Sequence, residues 1–118
     1  MADNPLPRPL LRRADFVRLA HEGASASAVS LIVQGAPNRD PGTSVFLGFT
    51  VSSRVGKAVV RNRVKRRLRE AARAVLPMAA RAGTSYVVIG KTAARTRPFD
   101  EIKADLRKAI DDLHRKLK

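Results

Sequence analysis

The sequence of 118 residues predicts an α+β fold, an αβ sandwich in which one small mixed sheet is covered by helices, in the order helix, strand, strand, helix, strand, helix, with room for one further short strand. Three observations carry this. Runs that are β-branched or alternate in polarity occur at 29–34, 44–52 and 85–90. Apolar residues recur three and four apart through 12–22, from 57 to about 76, and from 99 to 117. Segments dense in proline, glycine, serine and asparagine separate these runs. A sheet with helices packed on it is how such elements bury their apolar sides, and 44% apolar content over this length fills one domain.

Residues 1–10 are expected to be a flexible arm, because Pro5, Pro7 and Pro9 remove backbone donors and push the residues before them out of helical geometry. The single domain then covers 11–118. Its first helix places Phe16, Leu19 and Ala20 on one side and Arg12, Arg13 and Arg18 on the other, with Gly23 as a stop. By spacing alone Phe16 is a core anchor. The first strand, 29–34, is joined by the turn-rich 35–42 to the second, 44–52, and the pair is expected to form a hairpin. In the second strand Val45, Leu47, Phe49 and Val51 point one way. Phe46, Gly48, Thr50 and Ser52 point the other, giving a small, polar face around one aromatic, open enough for a ligand or merely lightly solvated.

The next helix carries Val60, Val64, Leu68, Ala71 and Val75 on a narrow apolar face and is expected to stop before Pro77. Strand 85–90 is apolar enough to be central. The basic loop 91–98 leads into a final helix with Phe99, Ile102, Leu106, Ala109, Ile110, Leu113 and Leu117 on one side. Asp100 and Glu101 at its start and Arg115 and Lys116 at its end suit its dipole. The connection from the second strand through the basic helix to the third is long enough for a crossover, which the general rule makes right-handed.

Charge is the most informative feature. The net charge is +14, and from Arg54 to Arg73 there are nine basic residues against one acid, Glu70, which can pair with Arg66 or Arg67 at helical spacing. Arg61, Lys65, Arg69 and Arg73 form one row. Like charges four apart destabilise a helix, so a row retained without partners points to an external polyanion. Arginine prevails in it, and its planar fork suits phosphate and can stack on bases, which favours nucleic acid over a lipid surface. A membrane-binding helix would flank its cations with large apolar residues, whereas the stripe here is thin and built of Val, Leu and Ala.

Several chemistries are disfavoured. There is no cysteine, hence no disulfide frame or thiolate metal site. His21 and His114 stand apart and read as ordinary surface residues. No carboxylates gather as a two-metal nuclease requires, and Gly56-Lys57 lacks the rest of a phosphate-binding loop, so no catalytic residue and no metal site are expected on the protein. Neither a signal-peptide core nor a membrane span is present in the sequence, which leads to the expectation of a cytoplasmic protein.

The stretch from Val55 to Ala71, centred on Arg61-Asn62-Arg63, closely resembles the signature of the bacterial ribonuclease P protein component. Asp15-Phe16 with Gly23, the run from Leu47 to Ser52, and Tyr86-Val87-Val88-Ile89 resemble the family's flanking elements, so the likeness covers nearly the whole chain. It implies a protein subunit that binds a catalytic RNA and assists removal of the 5′ leader from precursor transfer RNA. Hydrolysis would belong to the RNA and its Mg2+ ions, with no obligatory protein partner. By this likeness Arg54, Gly56, Lys57, Arg61, Asn62, Arg63, Lys65, Arg66 and Arg69 would contact the catalytic RNA, while Phe16, Phe46 and Tyr86 would line the path of the leader. It also implies a left-handed crossover around the basic helix, against the general rule. Ser53-Arg54 stands where the family commonly has two lysines, and Ala20 and the first strand lack its frequent aromatics, implying a less aromatic leader groove. A structural RNA-binding module of ribosomal-protein type is the alternative, separable by which RNA copurifies.

Overall fold

A computed structural model describes residues 8–10, 12–39 and 42–117. They form strand β1 (Arg8–Pro9), helix α1 (Arg13–Glu22), strands β2 (Ala24–Ser27), β3 (Leu31–Pro37) and β4 (Phe46–Val51), helix α2 (Ala58–Ala79), strand β5 (Thr84–Gly90) and helix α3 (Phe99–Leu117). Short 3-10 turns at Ser53–Val55 and Thr92–Arg95 precede α2 and α3.

The strands make one sheet in the order β1-β4-β5-β3-β2. β5 is central, parallel to β4 and antiparallel to β3. The hairpin expected between β3 and β4 is therefore absent, because β5 lies between them. β5 is the most deeply buried strand, and its apolar run needs a neighbour on each side. The hairpin that does form joins β2 to β3 and closes with the Ala28 N–H on Leu31 O at 2.8 Å. β2 is built of alternating Ala and Ser, which carry no strand signal of their own; only pairing with β3 defines it.

The N-terminal segment departs from the arm reading in part. The Arg8 N–H donates to Val45 O at 2.7 Å and the Leu10 N–H to Leu47 O at 3.1 Å, which stitches these residues onto the outer edge of β4. Proline is compatible with such an edge, where one side of the strand needs no donor. Residues 1–7 of the expected arm lie outside the described residues.

Helices α2 and α3 cover one sheet face. Val64, Leu68, Ala71, Ala72, Val75 and Leu76 from α2 meet Ile102, Leu106, Ala109, Ile110 and Leu113 from α3, over Leu31, Val33, Tyr86 and Val88 of the sheet. α2 runs past Pro77 to Ala79, further than the proline suggests, because burial of Val75, Leu76 and Ala80 carries the last turn across it. Among the described residues the other face is packed by α1, through a small cluster of Leu19, Ala36 and Val87 with Leu10, Phe16 and Ile89. A Cβ on Gly48 would lie 2.5 Å from Phe16 Cζ, so glycine there is what lets the Phe16 ring rest on β4.

Loop 91–97 is fixed by a buried polar knot. The Asp105 carboxylate accepts from Ser30 Oγ at 2.6 Å, the Ser30 N–H at 3.2 Å, and Arg97 Nε at 2.6 Å. Burial alone would raise the Asp105 carboxyl, but the hydrogen bonds from Arg97 and Ser30 outweigh it and hold it below the usual carboxylate range.

Candidate nucleic-acid interface

The chain enters α2 through a conformation that selects glycine. Gly56 has φ 157° and ψ −171°, and a Cβ there would sit 3.0 Å from the Val60 side chain. Lys57 is the N-cap without a side-chain cap bond, and no acid occupies the first turn. The positive end of the helix dipole is thus surrounded by cations, an arrangement that raises rather than offsets local potential.

Arg54, Lys57, Asn62, Arg63, Arg66 and Arg69 are exposed, and Arg61 and Lys65 are half-buried. Among the described residues α2 contains one ion pair, Arg73 with Glu70 at 3.2 Å. Glu70 thus pairs with Arg73, not with Arg66 or Arg67 as its spacing also allows: Arg67 turns inward, donating to Ala94 O at 2.8 Å and to Arg97 O at 2.5 Å. The Arg69 guanidinium lies 5.9 Å from the Phe49 ring centroid, and Arg61 Nε is buried with no hydrogen-bond partner. Of the nine residues implied for the catalytic RNA, three therefore fall just before α2 and six between Arg61 and Arg69 within it, and their cationic members have no acidic partner among the described residues.

The face under α1 holds an open cleft of about 510 Å³, lined in part by Arg12, Arg18, Arg39, Asn38, Phe46 and Ser85. Arg18 donates to Pro37 O at 3.4 Å, while its Nε has no partner. Asn38 braces the wall, donating to Ser44 O at 2.7 Å and accepting from Ser85 Oγ at 2.6 Å. Phe16 and Phe46 share this face. The three arginines of the cleft are not singled out by the sequence, since Arg12 and Arg18 look like the solvent side of a helix and Arg39 like a turn residue.

Tyr86 must be removed from the leader-facing set. It lies on the opposite face, 0% exposed, in register with Leu47 and Gly35, and its hydroxyl accepts from the Arg81 N–H at 2.9 Å. The hydroxyl is also 2.6 Å from His114 Nε2, and the imidazole tautomer sets which of the two donates. Strand alternation makes this assignment unavoidable once the register is fixed. His114 is likewise not an ordinary surface residue. Burial, with the nearby Arg81 charge, lowers its pKa, partly countered by Asp111. Burial also raises the Tyr86 hydroxyl.

Among the described residues no group of three or more His, Asp or Glu side chains converges as a metal site would require, and no helix is long and apolar enough to cross a membrane. The Ribonuclease P family model matches residues 5–114. The chain is 48% identical over 108 residues to the ribonuclease P protein component of Ruegeria pomeroyi, covering 89% of this chain and 85% of that protein. It is 44% identical over 104 residues to that of Paramagnetospirillum magneticum, covering 86% and 78%. In three dimensions it is similar to the RNase P protein of Thermotoga maritima, with a TM-score of 0.74 at 27% identity over 92% of this chain and 96% of the other. The RNase P protein of Staphylococcus aureus gives a TM-score of 0.74 at 26% identity over 88% and 93%.

Proposed function

The chain belongs to the ribonuclease P protein family, whose role is transfer-RNA processing, and on that premise we propose that its α2 ridge clasps the catalytic RNA while the cleft beneath α1 receives the 5′ leader of precursor transfer RNA. The observation that carries this reading is the cationic first half of α2, left without acidic partners among the described residues. Guanidinium forks bind phosphate at two points, and each neutralised phosphate releases counterions, so affinity comes with steep salt dependence. Asn62, exposed among them, brings both a donor and an acceptor and can fix orientation where point charges cannot.

β4 ties the two surfaces together. It turns Phe46 toward the cleft and Phe49 beneath Arg69 on the other face, so one strand sets the distance between the two RNA contacts. In the cleft Arg12, Arg18 and Arg39 offer charge to a leader backbone, and Phe46 offers a ring on which a base can stack, worth about 1–3 kcal/mol. Arg54 keeps one cation where Ser53 has none.

Bond cleavage in this reading is done by the RNA with its Mg2+ ions, the protein contributing binding and orientation and no catalytic side chain. The described residues offer no carboxylate cluster to hold such ions, so no step is assigned to a protein-bound metal. The protein would work in the cytoplasm beside that RNA.

Reconstitution with the cognate catalytic RNA at low Mg2+ tests the reading: the chain should restore leader removal, and copurification of ribosomal RNA instead would count against it. Phe46→Ala should weaken binding of leader-bearing substrate more than of mature product. Equal losses for the two would remove Phe46 from the leader path.

A further inference from the structure

We propose that the turn Thr92–Arg95, through Arg95, is a second contact element for the same RNA that α2 binds, extending the interface beyond the helix. This rests on the reading of α2 as the RNA-binding ridge.

The topology brings the turn there. β4 and β5 are parallel neighbours with Val51 opposite Gly90, so the chain leaves both strands at the same end of the sheet. The turn Ser53–Val55, which leads into α2, and the turn Thr92–Arg95 therefore emerge side by side, each against α2. They come from positions about forty apart in sequence, and no local pattern links them.

The turn is also held far more firmly than a solvated loop needs. Lys91 Nζ donates to Ser27 Oγ at 2.6 Å and to Ala28 O at 2.7 Å, and its N–H donates to Ser30 O at 2.9 Å. Ala94 is fully buried. Arg67 of α2 binds the carbonyls of Ala94 and Arg97, and Arg97 is held by Asp105. Ordering a loop costs conformational entropy, which here is spent on a segment whose outward residues are Thr92, Ala93, Arg95 and Thr96.

Arg95 is exposed and has no acidic partner among the described residues. It neighbours the carbonyl that Arg67 clamps, and Arg63 lies one helical turn before Arg67. A cation carried on a turn fixed against a cationic helix gains from a polyanion that lies across both. The exposed hydroxyls of Thr92 and Thr96 add neutral donors to phosphate oxygen next to it. Arg67 is then a positioning residue: its guanidinium holds the turn, and Arg95 touches the RNA.

The test is a filter-binding titration of the catalytic RNA transcript against salt with the full chain. Arg95→Ala should weaken binding several-fold and flatten the slope of log affinity against log salt by about one unit. Lys108→Ala, an exposed cation on α3, should leave the slope unchanged. Arg67→Met should weaken binding when Arg95 is present and add little when it is absent, with a thermal melt confirming that the variant remains folded. An unaltered slope for Arg95→Ala, with Arg61→Ala plus Arg69→Ala still losing about two units, overturns the proposal and leaves the α2 reading intact. Unaltered slopes for both overturn the α2 reading and the proposal with it. Equal losses for Arg95→Ala and Lys108→Ala overturn the proposal by showing general charge alone.

Discussion

Helices α2 and α3 lie side by side on the same sheet face and are similar in length, 22 and 19 residues, yet they handle charge in opposite ways. Among the described residues α3 takes part in five of the six ion pairs, accepting Arg97 at both Glu101 and Asp105 and closing Asp100 with Lys103, Asp111 with Arg107, and Asp112 with Arg115. α2 has the sixth alone. Both bury an apolar stripe in one core, so packing does not explain the difference. α3 neutralises itself, while α2 leaves its cations other than Arg73 without acidic partners among the described residues, as the proposed RNA binding requires. Within one small protein, the count of acids at helical spacing from each arginine separates structure from function more sharply than net charge does.

The contrast breaks first at Asp105, the one acid of α3 inside the core. Asp105→Ala takes the acceptor from the buried Ser30 hydroxyl and leaves Arg97 only its 3.7 Å contact with Glu101, and should cost about 3 kcal/mol of stability in a denaturant titration. Because its folded carboxyl titrates below the ordinary range, its contribution is present at neutral pH and is lost as pH falls through the depressed value. A variant as stable as the parent would mean that the knot around Asp105 adds nothing to the fold.

Next comes the ridge. Arg61→Ala with Arg69→Ala should reduce affinity for the catalytic RNA tenfold or more and flatten its salt slope by about two units. Folding stability should stay within about 1 kcal/mol of the parent, because relieved repulsion along α2 offsets the lost contact of Arg69 with Phe49. A large loss of stability with an unchanged slope would mean the row is structural after all.

His114 sharpens the comparison at smaller scale. Its pKa is depressed in the fold from 6.5, so the unfolded chain takes up the proton first and stability should fall as pH drops below about 6.5. His114→Asn should abolish that limb of the pH profile, and a profile identical to the parent would discount the effect of burial and the Arg81 charge on His114. Arg107→Ala, which removes an exposed pair with Asp111, should change stability by less than about 0.5 kcal/mol and leave RNA binding as it was.

Much of this was legible before any coordinates. Periodicity placed the three helices and the three longer strands to within a few residues, because each buries a face whose spacing is written in the sequence. The basic excess from Arg54 to Arg73 was legible for a similar reason, an excess of one sign along a helix being a local property, while Gly56 and Asn62 enter the expected set only through the family likeness. Strand β2 was not, since Ala24 to Ser27 hold no apolar alternation and become a strand only as partners of β3. The roles of Asp105 and His114 were hidden because each looks like one more polar residue on a charged helix, and their partners, Ser30 and Tyr86, lie far away in sequence.

What the sequence determined by itself, then, is what depends on neighbours along the chain: helix faces, strand alternation, and an arginine ridge with too few acids near it. Pairing order was decided only in three dimensions. β5 separates β3 from β4, which undoes the expected hairpin, sends Tyr86 to the core instead of the open face, and sets the turn carrying Arg95 beside α2. The physical reason is that a strand's periodicity says its residues alternate between two faces, while which face is wet, and which loops meet at the sheet's end, depends on partners brought in from elsewhere in the chain.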